Sequence, residues 1–315
     1  MKPRTTTDSA EPRITADERG LARPILKWAG GKRQLLPALR RYYPPDFQTY
    51  FEPFLGSAAV FLDLHNRRRL GRGARLSDSS TDLIGCYVAV RDAVEEVIEE
   101  LERLADGHRD RGPAHYYEIR GRFNPMRRAI AETASQYPPA LAAMLIYLNR
   151  TGYNGLFRLN ARGDFNVPAG RYERPVICDA DNLRLVSTAL RQPGVHIETA
   201  RFDDALAGAR SGDFVYLDPP YAPLSRTASF TSYTQGGFAA GDQARLQALV
   251  VGLARRGCWM LLSNSTAPAI RRLYADDRHA RDAGLRAFTV PARRAINSRA
   301  SRRGPVLEFV ITNIV

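Results

Sequence analysis

The chain has few of the residues that bind metals or form disulfide bonds. Its 315 residues include three cysteines and five histidines, all widely scattered, and no two have the spacing of a metal-ligand pair. An odd number of distant cysteines also argues against a disulfide framework. We therefore expect neither a metal site nor a disulfide bond, and we interpret all eight side chains as structural or incidental.

Long apolar segments are also missing. The longest run, 141–148, is far shorter than the roughly 20 residues that a membrane-spanning helix needs. The N-terminal region lacks the apolar core of a signal peptide, so we expect a cytosolic protein without a membrane partner. Hydrophobic residues make up 44% of the chain and charged residues 25%, as in an ordinary globular protein.

Positive charge, by contrast, is in excess. Lys and Arg number 46 against 33 Asp and Glu, a formal net charge of +13. Such an excess attracts polyanions and releases their counterions, which indicates a nucleic-acid partner. A GC-rich genome would explain the preference for arginine but not the net sign. The arginine clusters at 67–69, 293–294 and 299–303 are, taken singly, more typical of solvated surfaces.

The pattern of apolar residues predicts an interrupted α/β fold. Residues 1–21 are polar without periodicity, which predicts a disordered tail. A strand, a glycine-containing turn, a helix and a second strand ending at an acid follow, as in one half of a nucleotide-binding fold. These elements are predicted at 49–54, 55–57, 58–68 and 74–77, with Asp78 as the acid.

A helical region then precedes the remaining strands. Residues 83–104 and 139–149 have helical spacing, and the Gly- and Asn-rich segment 152–172 predicts a β-hairpin or extended loop. Further strands are predicted at 195–199, 214–217, 258–263, 286–290 and 306–311. We therefore predict a catalytic domain formed by 22–82 and 175–315, interrupted by a mainly helical domain, 83–174, that carries the hairpin.

The segment Asp218-Pro219-Pro220-Tyr221 carries the clearest chemical signal. It directly follows a short apolar strand, and ligands of open α/β sheets bind at the carboxyl ends of strands. Two prolines stiffen the loop and remove two N–H donors, so the loop presents acceptors. Asp218 and the Pro219 carbonyl could each accept one N–H of a planar amine, while Tyr221 stacks on its ring. Such a grip would localise the nitrogen lone pair for attack on an electrophilic methyl group.

Three motifs in this order resemble one enzyme family. The 218–221 loop matches the catalytic motif of amino-group DNA methyltransferases, and Phe51-Glu52-Pro53-Phe54-Leu55-Gly56 resembles their cofactor motif. With Lys27-Trp28-Ala29-Gly30-Gly31-Lys32 upstream, the order is similar to that of the alpha group and its Dam family of adenine-N6 methylases. The resemblance covers residue 24 to the C-terminus. It implies a Rossmann-like sheet, with S-adenosylmethionine as the cofactor.

The same resemblance implies roles for residues around the cofactor. Trp28 would pack on it, Lys32 would support its polar end, and Gly30 and Gly31 would permit close backbone approach. Asp78 would hold the ribose hydroxyls, although it could instead cap the next helix, as could Ser79 or Ser80. The other residues implied are Phe51, Glu52, Pro53, Gly56, Asp204 (with Asp203 an alternative) and Asp218. One departure is Ala58, where the family commonly has glycine.

The segments 147–158 and 163–172 resemble the DNA-recognition hairpin of the family. Arg158 would bind a guanine edge, Leu156 and Pro168 would contact a thymine methyl, and Arg171 suits a phosphate. Tyr153 and Asn154 would fill the space left by an extruded adenine, and Lys27 would contact the outer guanine. The resemblance suggests the target GATC in double-stranded DNA. Residues 229–233 resemble a family segment near the extruded base.

These residues lead us to expect an enzyme that extrudes an adenine and methylates its N6 directly. We expect a monomer in the bacterial cytosol, associated with the nucleoid or encoded by a phage or prophage. Similar loops occur in methyltransferases of RNA bases and glutamine side chains, but those lack the helical insertion with its Gly-Tyr-Asn-Gly segment. A second alternative is a DNA-binding module with an inactive methyltransferase core, for which Ala58 is the only support.

Overall fold

A seven-stranded sheet forms the centre of the protein. The computed structural model describes residues 20–28, 30–130, 134–223, 238–293 and 305–314. In these segments the strands are β1 (Tyr50–Glu52), β2 (Ala74–Asp78), β3 (Val195–Thr199), β4 (Phe214–Leu217), β5 (Trp259–Ser265), β6 (Arg286–Arg293) and β7 (Pro305–Thr312). They are arranged in the order β3-β2-β1-β4-β5-β7-β6. All pairs are parallel except those of β7, which is antiparallel to β5 and β6.

Helices cover both faces of this sheet. Those of the described segments are α1 (Leu36–Leu39), α2 (Ala59–Asn66), α3 (Thr81–Asp92), α4 (Val94–Arg111), α5 (Pro113–Ala129), α6 (Pro139–Thr151), α7 (Ala180–Leu190), α8 (Phe202–Ala205), α9 (Ala240–Arg255), α10 (Pro268–Tyr274) and α11 (Arg278–Asp282). This architecture confirms the predicted Rossmann-like α/β fold of S-adenosylmethionine-dependent methyltransferases.

The residues of β4 show why the sheet needs two layers of helices. All four are buried, and side chains alternate between the faces of a strand. Phe214 and Tyr216 belong to the core that includes α2, α3, α6 and α7, whereas Val215 and Leu217 belong to the core beneath α9 and α10. A strand that is buried on both faces reads as a continuous apolar run, which made β4 predictable from sequence.

The long helical region is divided differently from our prediction. The helical spacing of 83–104 is confirmed, and it is divided between two helices, because α3 ends before Ala93 and α4 continues to Arg111. The backbone of Ala93 leaves the helical region (φ −138°, ψ 47°), which the uninterrupted apolar spacing does not reveal. The apolar run 141–148 belongs to α6, which is almost entirely buried against α3, α4 and α5.

Of the two alternatives predicted for 152–172, the extended loop is confirmed and the β-hairpin is wrong as regular secondary structure. The segment is a loop closed by two isolated antiparallel bridges, Gly152 with Ala169 and Leu159 with Phe165. A ladder does not form because side chains of α5 hydrogen-bond the loop backbone instead. Tyr116 donates to the Val167 carbonyl at 2.9 Å. We call residues 152–172 the recognition loop.

Candidate active site

The carboxyl ends of three neighbouring strands bring the predicted site residues to one edge of the sheet. Glu52 is the last residue of β1, Asp78 the last of β2, and Asp218 follows β4 directly. Because β1 lies between β2 and β4, and all three are parallel, their ends meet there. Asp78 and Asp218, which are distant in sequence, therefore lie on either side of Glu52.

Lys32 forms an ion pair with Asp218 at this edge. Its Nζ lies 2.8 Å from Asp218 Oδ1, and the two side chains are only 7% and 19% exposed. The same ammonium donates to the Gly30 carbonyl at 2.5 Å and lies 4.7 Å from the ring centroid of Tyr221. Burial raises the pKa of Asp218 to about 6, and the Lys32 charge opposes that rise. The carboxyl is thus mostly ionised, and able to accept hydrogen bonds, at neutral pH.

The backbone of the Asp-Pro-Pro-Tyr loop is held by three buried polar side chains. Gln243 Nε2 donates to the Pro220 carbonyl at 2.9 Å. Asn264 Oδ1 accepts from the Ala222 amide at 3.3 Å, and Ser265 Oγ donates to the Ala222 carbonyl at 2.6 Å. No donor of the described residues reaches the Pro219 carbonyl. This acceptor is therefore presented next to Asp218 on a fixed backbone.

Glu52 is buried beneath the turn that follows β1. Its Oε2 accepts from the Tyr50 hydroxyl at 2.8 Å and from the Phe61 amide at 3.1 Å. Burial raises the pKa of Glu52 to about 8, against the effect of these two hydrogen bonds. At neutral pH the side chain is therefore mostly protonated and ties β1 to the start of α2.

The turn from β1 to α2 lies against Trp28. Gly56 has a φ of +47°, and a Cβ on it would lie 3.1 Å from Trp28 Cδ1, so a side chain there would be strained and crowded. The indole stacks on Phe157 of the recognition loop with ring centroids 5.5 Å apart. Trp28 thus contacts both the turn after β1 and the recognition loop. From the sequence we expected only a cofactor contact for this residue.

Asp78 does not cap the helix that follows it. Its two carboxylate oxygens accept from the amides of Gly56 at 3.2 Å and Ser80 at 3.0 Å. The cap of α3 is Ser80, whose side chain accepts from the Leu83 amide. Burial raises the pKa of Asp78, while these backbone donors oppose the rise. The alternative of Asp78 as an N-cap is therefore wrong, and its carboxylate remains at the strand end where a ribose would bind.

Ala58 adopts the left-handed conformation that glycine favours. Its φ is 56° and its ψ 25°, and the side chain is buried. A non-glycine residue in this region costs roughly 1–2 kcal/mol. The turn therefore keeps the backbone shape that a glycine would give it, at a cost in stability.

Three phenylalanines form an aromatic cluster beside the same edge. Phe54 stacks on Phe202 with centroids 5.6 Å apart, and Phe238 contacts both rings at 5.7 and 5.8 Å. Asp203 lies next to Phe202 and is half-buried. Its Oδ1 has no hydrogen-bond donor among the described residues, although Arg201 Nε lies 3.4 Å away. Asp204 is exposed on α8.

The recognition loop presents polar and aromatic side chains to solvent. Four of the residues expected to contact DNA are exposed: Tyr153, Arg158, Pro168 and Arg171. Arg158 Nε donates to Asn166 Oδ1 at 2.7 Å, so its guanidinium is orientated along the loop. Asn154 has a left-handed backbone (φ 55°) and is half-buried, as is Leu156.

One face of α5 fixes this loop to the protein. Arg120 donates to the Val167 carbonyl at 3.0 Å, and Asn124 exchanges two hydrogen bonds with the Phe165 backbone. Arg127 donates to the Gly163 carbonyl at 2.6 Å and pairs with buried Asp82 at 2.7 Å. These side chains satisfy backbone groups of the loop that a β-ladder would otherwise pair.

Lys27 connects the recognition loop to segment 27–32. Asn149 of α6 accepts from the Lys27 amide at 2.7 Å and donates to the carbonyls of Lys27 and Gly155, both at 2.8 Å. The Lys27 ammonium lies 4.7 Å from the ring centroid of Tyr172, at the far end of the loop. The two ends of the recognition loop thus converge on the segment that also carries Trp28 and Lys32.

Comparison with known proteins assigns the family. A family model described as D12 class N6 adenine-specific DNA methyltransferase matches residues 28–288. The chain belongs to this family. The D12-class match includes the 51–56 and 218–221 motifs, all of the 27–32 motif except Lys27, the helices α3–α6 and the recognition loop, and it confirms that the protein is an adenine-specific DNA methyltransferase.

Several relatives are similar to this chain over almost their whole length. Type II methyltransferase M1.LlaDCHI of Lactococcus lactis subsp. cremoris is 36% identical over 92% of this chain and 95% of its own. Type II methyltransferase M.MjaIII of Methanocaldococcus jannaschii is 36% identical over 92% and 99%. The DNA adenine methylase of Escherichia coli K12 is 35% identical over 91% and 94%.

Four polar residues near the Asp-Pro-Pro-Tyr loop were not identified from sequence: Gln243, Asn264, Ser265 and Glu308. Asn264 and Ser265, together with Ser263, form the polar end of the apolar strand β5, and this polar end was the available signal. Residues 229–233, most of the tail and the cluster 299–303 lie outside the described residues. In the described segments no group of His, Cys, Asp or Glu could hold a metal ion, and no helix could span a membrane.

Proposed function

We propose that the protein methylates N6 of adenine in double-stranded DNA, at GATC, after extruding the adenine from the helix. The observation that carries this proposal is a pair of adjacent acceptors at the end of β4, the Asp218 carboxylate with its Lys32 partner and the Pro219 carbonyl. Asp218 presents a mostly ionised carboxylate, and the adjacent Pro219 carbonyl has no donor among the described residues. An exocyclic amine has the two N–H donors that such a pair requires.

The residues present fit S-adenosylmethionine, the cofactor that methyltransferases of this fold generally use. The turn after β1, where Gly56 packs on Trp28, could receive the methionine part, and Asp78 would hold the ribose hydroxyls. The phenylalanine cluster and the neighbouring Asp203 carboxylate, which pairs with Arg201 at 3.4 Å, suit an adenine ring and its amine. The bound cofactor would supply an electrophilic methyl group.

The chain's own residues would then act on the adenine of DNA. Asp218 and the Pro219 carbonyl each accept a hydrogen bond from one N6–H group and draw the nitrogen lone pair out of conjugation with the purine ring. Tyr221 stacks on the base. The loop is braced by Gln243, Asn264 and Ser265, so these acceptors need little reorganisation. Asp218 is also the acceptor for the proton that the nitrogen releases. Extrusion is required because N6 is inaccessible within the duplex, and it costs a few kcal/mol.

The target GATC is proposed from the resemblance of the recognition loop to that of the Dam family. Exposed Arg158 has the bidentate donors that a guanine edge accepts in the major groove, and exposed Pro168 suits a thymine methyl. The +13 charge supports phosphate contacts along the duplex.

Methylation-sensitive sequencing of plasmid DNA from cells that express this chain tests the proposal. We expect N6-methyladenine at every GATC and at no other tetranucleotide. Methylation at another sequence would disprove the target but not the reaction. Absence of methylation, together with no heat of S-adenosylmethionine binding in calorimetry, would favour the DNA-binding module with an inactive core.

A further inference from the structure

A hydrogen bond links the catalytic loop to the C-terminal strand. The hydroxyl of Tyr221 donates to Glu308 Oε2 at 2.7 Å, across 87 residues of sequence. Glu308 is half-buried on β7, where it pairs in register with Ser265 of β5. Ser265 itself holds the Ala222 carbonyl, so two adjacent strands grip the same end of the loop.

We propose that Glu308 is a positioning residue for methyl transfer, which holds the ring of Tyr221 in the orientation that stacks on the extruded adenine. The inference rests on the proposed function, because it assumes that Tyr221 contacts the base. Glu308 itself would touch neither the base nor the cofactor.

The geometry around Tyr221 supports this role. The Lys32 ammonium lies over the ring at 4.7 Å, and the Glu308 carboxylate holds the hydroxyl at its far end. A tyrosine ring turns about two side-chain torsions, and contacts at its face and at its tip restrict both. Hydrogen bonds to a carboxylate are stronger than those between neutral groups. Burial also raises the pKa of Tyr221 well above its usual value, so the hydroxyl remains a donor at working pH.

Four variants test the role of Glu308: Glu308→Ala, Glu308→Gln, Tyr221→Phe and the double variant Tyr221→Phe/Glu308→Ala. The measurements are the single-turnover rate and the KM for a GATC duplex at saturating S-adenosylmethionine. We expect Glu308→Ala to lower the rate by roughly 10- to 100-fold, the scale of a misplaced reacting group, with KM unchanged. Glu308→Gln should keep most of the rate because its amide oxygen still accepts from the hydroxyl.

The remaining variants show whether the effect passes through the Tyr221 hydroxyl. Tyr221→Phe keeps the ring but loses the donor, so it should match Glu308→Ala, and the double variant should be no slower than either. Glu198→Ala removes an exposed acid on β3 and serves as the control, with wild-type rates expected. If Glu308→Ala fails to fold, Glu308→Gln and Tyr221→Phe still carry the test.

Each contrary outcome has a distinct meaning. A wild-type enzyme that does not methylate the duplex would refute the proposed function. An active wild-type enzyme with an equally active Glu308→Ala variant would refute only the positioning role. Multiplicative losses in the double variant, or a raised KM at unchanged rate, would also overturn it, because Glu308 would then act independently of Tyr221.

Discussion

Replacing Lys32 by methionine should shift the pH dependence of methylation. The ammonium lies 2.8 Å from Asp218 in a site where both side chains are largely buried, and it opposes the effect of burial on the Asp218 pKa. In the proposed mechanism Asp218 must be ionised, because the carboxylate is the stronger acceptor for the adenine amine and later takes its proton. Activity should therefore fall as the pH drops through the pKa of Asp218, and that pKa should rise when the positive charge is lost.

The size of the shift follows from the closeness of the pair. An adjacent opposite charge lowers a carboxyl pKa by roughly 1–3 units, so Lys32→Met should move the acid limb from about 6 to roughly 7–9. At pH 7, a pKa near 8 would leave only about a tenth of the enzyme with an ionised Asp218. The variant should recover at high pH, where the wild type gains nothing further.

The assay is the pH profile of kcat/KM for DNA at saturating S-adenosylmethionine, with Lys32→Arg as the charge-retaining control. Calorimetry with the cofactor separates a loss of cofactor affinity from a change in ionisation. The reasoning is refuted if the acid limb of Lys32→Met stays where the wild-type limb lies, with the rate lowered equally at all pH values. Such a result would assign Lys32 to cofactor binding alone.

Three further variants test the turn and the recognition loop. Ala58→Gly should raise the free energy of unfolding in urea by up to about 1 kcal/mol. The substitution relieves roughly 1–2 kcal/mol of left-handed backbone strain, which exceeds the ~0.8 kcal/mol lost with one buried methyl group. A lower free energy of unfolding would contradict the strain at Ala58. Arg127→Met should lower stability by about 3–5 kcal/mol, because it leaves the Asp82 carboxylate buried without its partner; an unchanged urea midpoint would contradict this. Arg158→Ala should cost about 1–3 kcal/mol in discrimination at one base pair of the target, measured as methylation rates on single-substituted duplexes. The control Arg162→Ala, on the same loop, should leave this discrimination unchanged. Equal losses of rate on all duplexes would make Arg158 a phosphate contact.

The sequence predicted what depends on local pattern. The four apolar residues of β4 predicted a strand, which was observed as Phe214–Leu217, and the strand 74–77 was observed as Ala74–Asp78. A continuous apolar run or a proline pair acts through neighbouring residues only. Such signals survive without knowledge of the tertiary structure.

The features that escaped prediction depend on residues brought together from distant segments. No local pattern around Lys32 reveals that it pairs with Asp218. The one signal was the rarity of lysine, because only three of the 46 basic residues are lysines and two of these lie in segment 27–32. The break at Ala93 interrupts a helical pattern that continues on both sides. The recognition loop is a loop rather than a hairpin because α5 supplies its hydrogen-bond partners.

The central claim is that Asp218 and the Pro219 carbonyl grip an adenine amine. It is tested most directly by single-turnover methylation of a GATC duplex with wild type and Asp218→Ala, with N6-methyladenine quantified by mass spectrometry and DNA binding measured in parallel. We predict that the wild type forms N6-methyladenine, and that Asp218→Ala, folded by circular dichroism, binds the duplex yet forms none. Wild-type turnover by Asp218→Ala would contradict the account.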